Sequence, residues 1–350
     1  MSLPIELPID PMLASAVDRI PEGPGFAHEP KWDGFRCIIS RDGDRIALDG
    51  RGKKPLTPYF PEVISGLAAW LPDGAILDAE LVVRAGEPGE QRLDWDALSA
   101  RIHPAASRIA KLSQQTPAEL VCFDVIALCG ADLMGLTWDE RRDRLESVFS
   151  SAGAHHGAHL SAIMLELGEA KRAFDQFEGA GLDGVVSKPR DSHYLPGKRG
   201  WKKTKHSRTA EAVVIGYRIH KSGHGVGSLM LGMYDASGNL VPVGGIGAFS
   251  DAVREQLIDE LSPLVIRDAS GEPVMLDKPR SRFARPGAAA QSVSLQPELV
   301  VEVAFDQLQG ARFRHAVTLL RFRPDRDARS CLLDQVERAH SYDLAQVLAD

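Results

Sequence analysis

Residues 29–49 read EPKWDGFRCIISRDGDRIALD, and the fold of the chain is legible outward from this stretch. Its second part, residues 35–49, has the pattern of a β-hairpin. Two short apolar strands flank Arg41-Asp42-Gly43-Asp44, where Asp-Gly supplies the turn. Its first part places Lys31, Asp33, Gly34 and Arg36 in the order KxDGxR at the entry to that hairpin. A lysine amine is ordinarily protonated and inert, but neighbouring cations or burial lower its pKa and expose a nucleophilic lone pair. Taken alone, Lys31 is either such a nucleophile or a solvated lysine at a strand end.

The rest of the first half alternates helices and strands. Apolar side chains at 60, 63, 64, 67, 68 and 71 predict an amphipathic helix over 58–71. Residues 75–83 and 119–128 read as buried strands, and 182–188 as another. Thr137-Trp138-Asp139-Glu140 is a capping box that opens a helix through about Phe149. A further helix is expected around 169–178.

Beyond Arg208 the pattern changes to five short strand-like runs separated by turn residues, with one helix near 250–261 after the third run. This order suggests a small, partly open β-barrel of the OB type. The expected division is therefore 1–207 and 208–350, with an amphipathic helix over 332–348 closing the chain. The fold class is α+β, with antiparallel sheets and flanking helices followed by a barrel.

Composition narrows the function classes. Hydrophobic residues at 44% and charged residues at 25% are ordinary globular values, which excludes disordered, fibrous and coiled-coil classes. No apolar run approaches the roughly 20 residues that cross a bilayer, and the N-terminus does not read as a secretory signal. Cys37, Cys122, Cys129 and Cys331 are scattered without a CxxC pair, which argues against structural zinc and suits a reducing cytoplasm. The net charge of −7 conceals two basic segments. Residues 188–208 carry eight Lys/Arg against Asp191 alone, and 310–329 carry six arginines against Asp325 and Asp327. Such segments on an acidic body are compatible with phosphate recognition, or with two solvated loops.

Several side chains extend the chemistry of Lys31. Asp78 and Glu80 lie two apart in a strand and so share a face, where they need a cation, a metal or hydroxyl donors. In Trp201-Lys202-Lys203-Thr204-Lys205 the extended pattern puts Lys203 and Lys205 on one face, as a phosphate clamp. Asp183 opens an apolar strand, and Phe123 is either a core residue or a platform for a base.

KWDGFR, DAEL, FDV, DGVVSK and WKKTK, in this order, resemble nucleotidyltransferase motifs I, III, IIIa, IV and V of the covalent lysyl-nucleotidyltransferases. That family contains ATP-dependent DNA ligases, RNA ligases and mRNA capping enzymes. Arg321-Phe322-Arg323-Pro324-Asp325-Arg326 resembles motif VI of the OB domain, and Pro11-Met12-Leu13-Ala14 resembles an opening common in these ligases. The resemblance spans the chain to about Arg329 and is strongest to the small, core-only C-type DNA ligases of mycobacteria. It differs from the usual pattern in three places. Asp183 stands for a glutamate, Arg326 for a lysine, and residues 49–53 match the SRxG element only loosely.

The resemblance implies a nucleotidyltransferase (ATP-grasp-like DNA ligase) domain followed by an OB-fold barrel. It implies that Lys31 attacks the α-phosphate of ATP to form lysyl-AMP. Glu29, the Pro30 backbone and Phe123 would hold adenine, and Glu80 the ribose, with Lys188 also in the nucleotide site. Lys203 and Lys205 would grip the α-phosphate. Arg36 and Arg51 would hold the 5′-phosphate of the strand to be joined, or nucleotide phosphates before it. Arg323, Asp325 and Arg326 would orient pyrophosphate, which calls for a hinge near Lys205–Glu211. Asp183, with Glu80, would bind Mg²⁺ or Mn²⁺. The implied function is sealing of 5′-phosphate/3′-OH nicks in duplex DNA in the bacterial cytoplasm or nucleoid, by a monomer. With no nuclease, polymerase, zinc or BRCT-like module in this sequence, the expected role is repair with recruiting partners. Capping guanylyltransferase, RNA ligase and a non-catalytic OB-fold binding module are the alternatives.

Overall fold

The hairpin forms as its pattern predicts. Strands Phe35–Asp42 and Arg45–Gly50 pair antiparallel through Asp42 and Arg45, and Gly43 makes the turn at φ +59°. A computed structural model describes residues 3–103, 105–151, 155–206, 208–247, 249–275, 292–306, 308–336 and 342–348. Around the hairpin grows an eight-stranded sheet. Phe35–Asp42 pairs antiparallel with Ile76–Ala85, which pairs antiparallel with Ala118–Leu128, and Ala158–Leu160 adds a parallel edge. A second, four-stranded sheet runs Leu13–Ala16, Arg199–Thr204, Val185–Pro189, Phe26–Pro30.

The two central strands of the large sheet are apolar almost throughout because both of their faces are covered. On one face Ile39, Leu77, Leu81 and Leu120 pack with Leu67 of the helix Pro61–Trp70 and with Leu145 and Phe149 of the helix Trp138–Ser151. On the other, Ile38, Val82, Val121 and Phe123 meet Met12 and Trp201 of the small sheet. This inter-sheet core fixes where the motif residues stand. The capping box forms reciprocally: Glu140 accepts from the Thr137 backbone N–H at 2.8 Å, and Thr137 Oγ1 accepts from the Glu140 N–H at 3.3 Å. The helix expected near 169–178 is Leu167–Phe177.

Met1–Lys205 with Ala339–Asp350 forms one unit, and His206–Arg338 the other. In the second unit, strands Arg208–Ile219, Val226–Tyr234, Leu240–Ile246, Val300–Phe305 and Thr318–Phe322 stand in the order third, second, first, fourth, fifth. A parallel bridge between Ile246 and Val317 joins the two ends of this order and closes an OB-type barrel. The expected helix is Asp251–Leu261, capped by Ser250.

The helix expected over 332–348 does not form. Its described residues hold only the 3₁₀ turns Leu333–Gln335 and Leu344–Gln346. Val336 is buried in the core of the barrel, whereas Leu344, Val347 and Leu348 are buried in the inter-sheet core of the first unit. One continuous helix would put these side chains on a single stripe, so serving two cores breaks it. Residues 342–348 thereby leave the barrel unit to which the pattern had assigned them. Among the described residues, no helix is long and apolar enough to cross a membrane.

Candidate active site

Register across the small sheet builds one wall of a cleft. Val186 stands opposite both Glu29 and Lys203, which puts these three side chains in one row on one face. Lys188 and Trp201, each two residues away along its strand, share that face. The large sheet supplies the other wall, with Arg36 directly opposite Glu80 and Phe123 one strand further on. The cleft between them has a volume of about 260 Å³. Its lining includes Glu29, Pro30, Lys31, Arg36, Arg51, Glu80, Phe123, Lys188 and Lys203.

Lys31 lies at the end of the strand Phe26–Pro30, locked by two backbone hydrogen bonds. Its N–H donates to the Gly184 carbonyl at 2.8 Å, and its own carbonyl accepts from the Asp183 N–H at 3.0 Å. These bonds bring KWDG and DGVV side by side. Asp183 Oδ2 then sits 2.7 Å from both Lys31 Nζ and Lys205 Nζ, with only 2% of the Asp183 side chain exposed. Lys31 is thus held by a carboxylate that it shares with Lys205. The motif glycines are explained by close approach. A Cβ on Gly34 would lie 1.9 Å from the Leu81 carbonyl oxygen, and one on Gly184, at φ +110°, 2.1 Å from that of Thr204.

Deeper in the cleft, Glu29 Oε1 and Lys188 Nζ form an ion pair at 2.8 Å, 2% and 1% exposed respectively. Lys188 also donates to the Phe123 carbonyl at 2.9 Å and lies 4.7 Å from the Phe123 ring centroid and 4.4 Å from that of Trp201. Burial pushes the Glu29 carboxyl up and the Lys188 ammonium down from their ordinary values, each opposed by its partner. Glu80 accepts the Gly34 N–H at 3.0 Å, and burial raises its pKa to about 7 against the pull of Arg36 and Lys31. Lys203 is lowered, first by desolvation and then by the charges of Lys31 and Lys205.

Arg36 is paired with a carboxylate of the neighbouring strand. Its guanidinium grips Asp78 at 2.5 and 2.6 Å, donates to the Met12 carbonyl at 3.0 Å, and lies 4.8 Å from the Phe123 ring and 5.1 Å from that of Trp201. Arg51 lines the same cleft and is exposed. The motif VI residues belong to the second unit. Arg323 and Arg326 both bind Glu211, and Arg323 also pairs with Asp325 at 2.8 Å, which draws the Asp325 carboxyl down to about 2.

Some residues of the site escape sequence reasoning. Tyr194 is buried at 1% exposure and donates to Asp78 at 2.6 Å from a loop 116 residues away. Arg141, fully buried, clamps Asp124 and the carbonyls of Leu136 and Ser192, so anchoring that loop. Glu211, the shared partner of the motif VI arginines, has no mark in its sequence context. Only the apolar surroundings of Asp78 signalled that a cation, a metal or hydroxyl donors must meet it.

Comparison with known proteins accounts for both units. A family described as "ATP dependent DNA ligase domain" matches residues 11–205, and one described as "ATP dependent DNA ligase C terminal region" matches residues 222–326. The chain is 45% identical over 350 residues to DNA ligase C2 of Mycolicibacterium smegmatis, with 96% of each chain covered. It is 42% identical over 361 residues to DNA ligase C of Mycobacterium tuberculosis, with 99% of each covered. A solved structure described under "DNA binding with a minimal scaffold: Structure-function analysis of Lig E DNA ligases" shares the fold, with a TM-score of 0.57 at 16% identity over 89% of this chain and 99% of that one. With one family match over each unit and full-length relatives above 40% identity, the chain belongs to the ATP-dependent DNA ligases.

Proposed function

We propose that this ligase seals 5′-phosphate/3′-OH nicks in duplex DNA by way of lysyl-AMP on Lys31, with Met1–Lys205 and Ala339–Asp350 as the adenylation domain and His206–Arg338 as the OB-fold domain. The observation that carries the assignment of the nucleophile is the position of Lys31. It lines a cleft that also offers an aromatic face, a buried carboxylate–ammonium pair and a further lysine, Lys203. Adenine lies against Phe123, with Glu29 and the Pro30 backbone at its edge and Lys188 beside Glu29. Glu80 takes the ribose. Lys31 Nζ attacks the α-phosphorus, and pyrophosphate leaves as the P–N bond forms. Asp183 orients the attacking amine, while Lys203 and Lys205 neutralise charge that develops on the phosphoryl oxygens.

The donor set suits magnesium. Asp183 Oδ1 is buried without a hydrogen-bond partner, its Oδ2 pairs with Lys31, and both Lys31 and Glu80 line the cleft. One or two carboxylates completed by phosphate oxygens and water are what Mg²⁺ ordinarily takes, and Mn²⁺ accepts the same ligands. Bound there, the ion would neutralise phosphate charge. Arg323, Asp325 and Arg326 orient the departing pyrophosphate, and the boundary at Lys205–His206 is where the hinge that this requires would lie. Arg51 contacts the 5′-phosphate of the nick. Action as a monomer in the bacterial cytoplasm, in repair and with recruiting proteins, completes the proposal.

The test is label transfer from α-labelled ATP, followed by sealing of a singly nicked duplex. Wild type and Lys111→Ala, an exposed residue of the helix Ala106–Gln115, should both form the adduct and seal. Lys31→Ala should do neither. A labelled Lys31→Ala protein would overturn the assignment of the nucleophile, and labelling by GTP in preference to ATP would move the nucleotide reading to the capping type.

A further inference from the structure

Four groups close a hydrogen-bonded circuit behind the cleft. The Met12 N–H donates to the Tyr194 hydroxyl at 3.0 Å, and that hydroxyl donates to Asp78 Oδ2 at 2.6 Å. Asp78 receives Arg36 Nε at 2.5 Å and Nη2 at 2.6 Å, and Nη2 returns to the Met12 carbonyl at 3.0 Å. Met12 and Asp78 are fully buried and Tyr194 is 1% exposed. Three segments distant in sequence are thereby joined at one charge: the N-terminal strand, the paired strands of the hairpin sheet, and the loop before Arg199–Thr204.

The circuit decides where the Arg36 guanidinium points. Bidentate binding to Asp78 fixes its plane, and the bond to Met12 fixes its rotation. Held in this way it lies over the rings of Phe123 and Trp201, while Lys188 stands over both rings as well. The result is a cluster of two rings, meeting edge to face at 83°, and two cations that lines the cleft. An arginine free to reach a phosphate would leave the Asp78 carboxylate buried and short of its counter-ion, which is costly.

We propose that Tyr194 is a positioning residue which, through Asp78 and the Met12 backbone, holds Arg36 as part of the wall that receives the nucleoside, so that Arg36 serves base binding during adenylation. This inference rests on the reading of the cleft as the ATP site. Tyr194→Phe removes one hydroxyl and keeps the ring. Asp78 then loses a charge-assisted donor and the Met12 N–H loses its acceptor, so the two groups that hold the guanidinium are themselves held less firmly.

The experiment compares wild type, Tyr194→Phe, Arg36→Lys and Lys31→Ala as full chains. Single-turnover adenylation across ATP concentrations gives the apparent affinity and the maximal rate, and reversal of the preformed adduct across pyrophosphate concentrations gives that of the phosphate end. Thermal melting shows whether each variant is folded. Tyr194→Phe is expected to weaken apparent ATP affinity about tenfold, the scale of one lost charge-assisted hydrogen bond. The maximal rate and the pyrophosphate dependence should stay within about twofold. Arg36→Lys keeps a point charge for Asp78 but cannot cover both rings, so it should show the same one-sided loss and serves the same test if Tyr194→Phe does not fold. Wild-type ATP affinity in the folded variants would overturn the inference, as would an equal shift in ATP and pyrophosphate dependence, the behaviour of a phosphate-binding arginine. An adduct on Lys31→Ala would instead overturn the reading of the site itself.

Discussion

Replacing Glu29 by glutamine tests the most deeply buried charge pair of the cleft. The two side chains are 2% and 1% exposed and meet at 2.8 Å, so glutamine leaves the Lys188 ammonium out of water without its counter-charge. Removing one member of a buried pair costs about 3–5 kcal/mol, because the remaining ion keeps its desolvation penalty and loses its attraction. The Phe123 carbonyl at 2.9 Å and the two aromatic faces stay in place, and they are present before and after the change, so they do not offset the loss. Asp124 supplies a weaker pull on the same ammonium, which places the expected cost near the lower figure, about 3 kcal/mol. For a unit of this size each kcal/mol moves the melting temperature by about 2–4 °C, so the first unit should melt about 6–12 °C lower. Differential scanning calorimetry of the full chain, with urea titration of the same transition, reads this shift. Glu29→Gln with Lys188→Met should recover most of it, since an apolar replacement removes the stranded charge along with the pair. A single variant within about 1 kcal/mol of wild type would refute the argument, as would a double variant less stable than either single one.

Four further outcomes follow from the same geometry. Gly34→Ala and Gly184→Ala each press a Cβ against a backbone carbonyl, at 1.9 and 2.1 Å, and should lower stability by roughly 3 kcal/mol or more in chemical denaturation, whereas Gly43→Ala, with nothing within 4 Å, should cost far less. Glu80 keeps its proton to about pH 7 in the folded chain, while the unfolded chain loses it near the ordinary 4.5. Its contribution is therefore fully present below about pH 4.5 and is lost as pH rises through about 7, and Glu80→Gln should flatten that arm of a stability–pH curve measured without metal. Thr137→Ala removes the hydroxyl of the capping box and should cost about 1 kcal/mol in urea, with Glu140→Ala adding less than its separate cost. Binding to nicked duplex, measured by fluorescence anisotropy, should weaken with salt at a log–log slope of about −0.9 for each phosphate contacted, and a flat salt response would refute phosphate-led recognition.

How much of this was legible depends on the length scale of the interaction. The hairpin, the capping box and the barrel strands are written in local pattern, and all of them form. The meeting of Lys31, Asp183 and Lys205 was legible only through the order of five motifs, since no single motif says that KWDG and DGVV become adjacent. The last helix failed because periodicity records which side chains want burial and not which core will bury them. Val336 and Leu344 went to different ones. Tyr194 was invisible for the complementary reason. Its one polar atom is satisfied by Asp78 and Met12, 116 and 182 residues away, and nothing near it in sequence reports either partner.

Arg36 marks the boundary between a residue's chemistry and its use. As a cation two residues beyond a motif glycine it reads as a hand for phosphate, and its charge and reach permit that. What holds it is Asp78, which stands on the neighbouring strand with its carboxylate fully buried. A buried carboxylate holds its arginine more tightly than a solvated phosphate can compete for it, because releasing the arginine strands a charge in a medium where water cannot replace the lost contact. Phosphate would therefore have to come to Arg36 with a hydrogen-bond partner for Asp78 already in place, and Tyr194 is the only other side chain for which a hydrogen bond to Asp78 is seen among the described residues. Without the Tyr194 hydroxyl Asp78 would depend on Arg36 still more, so Tyr194→Phe should keep the arginine on the carboxylate and leave the pyrophosphate dependence of the protein near that of wild type.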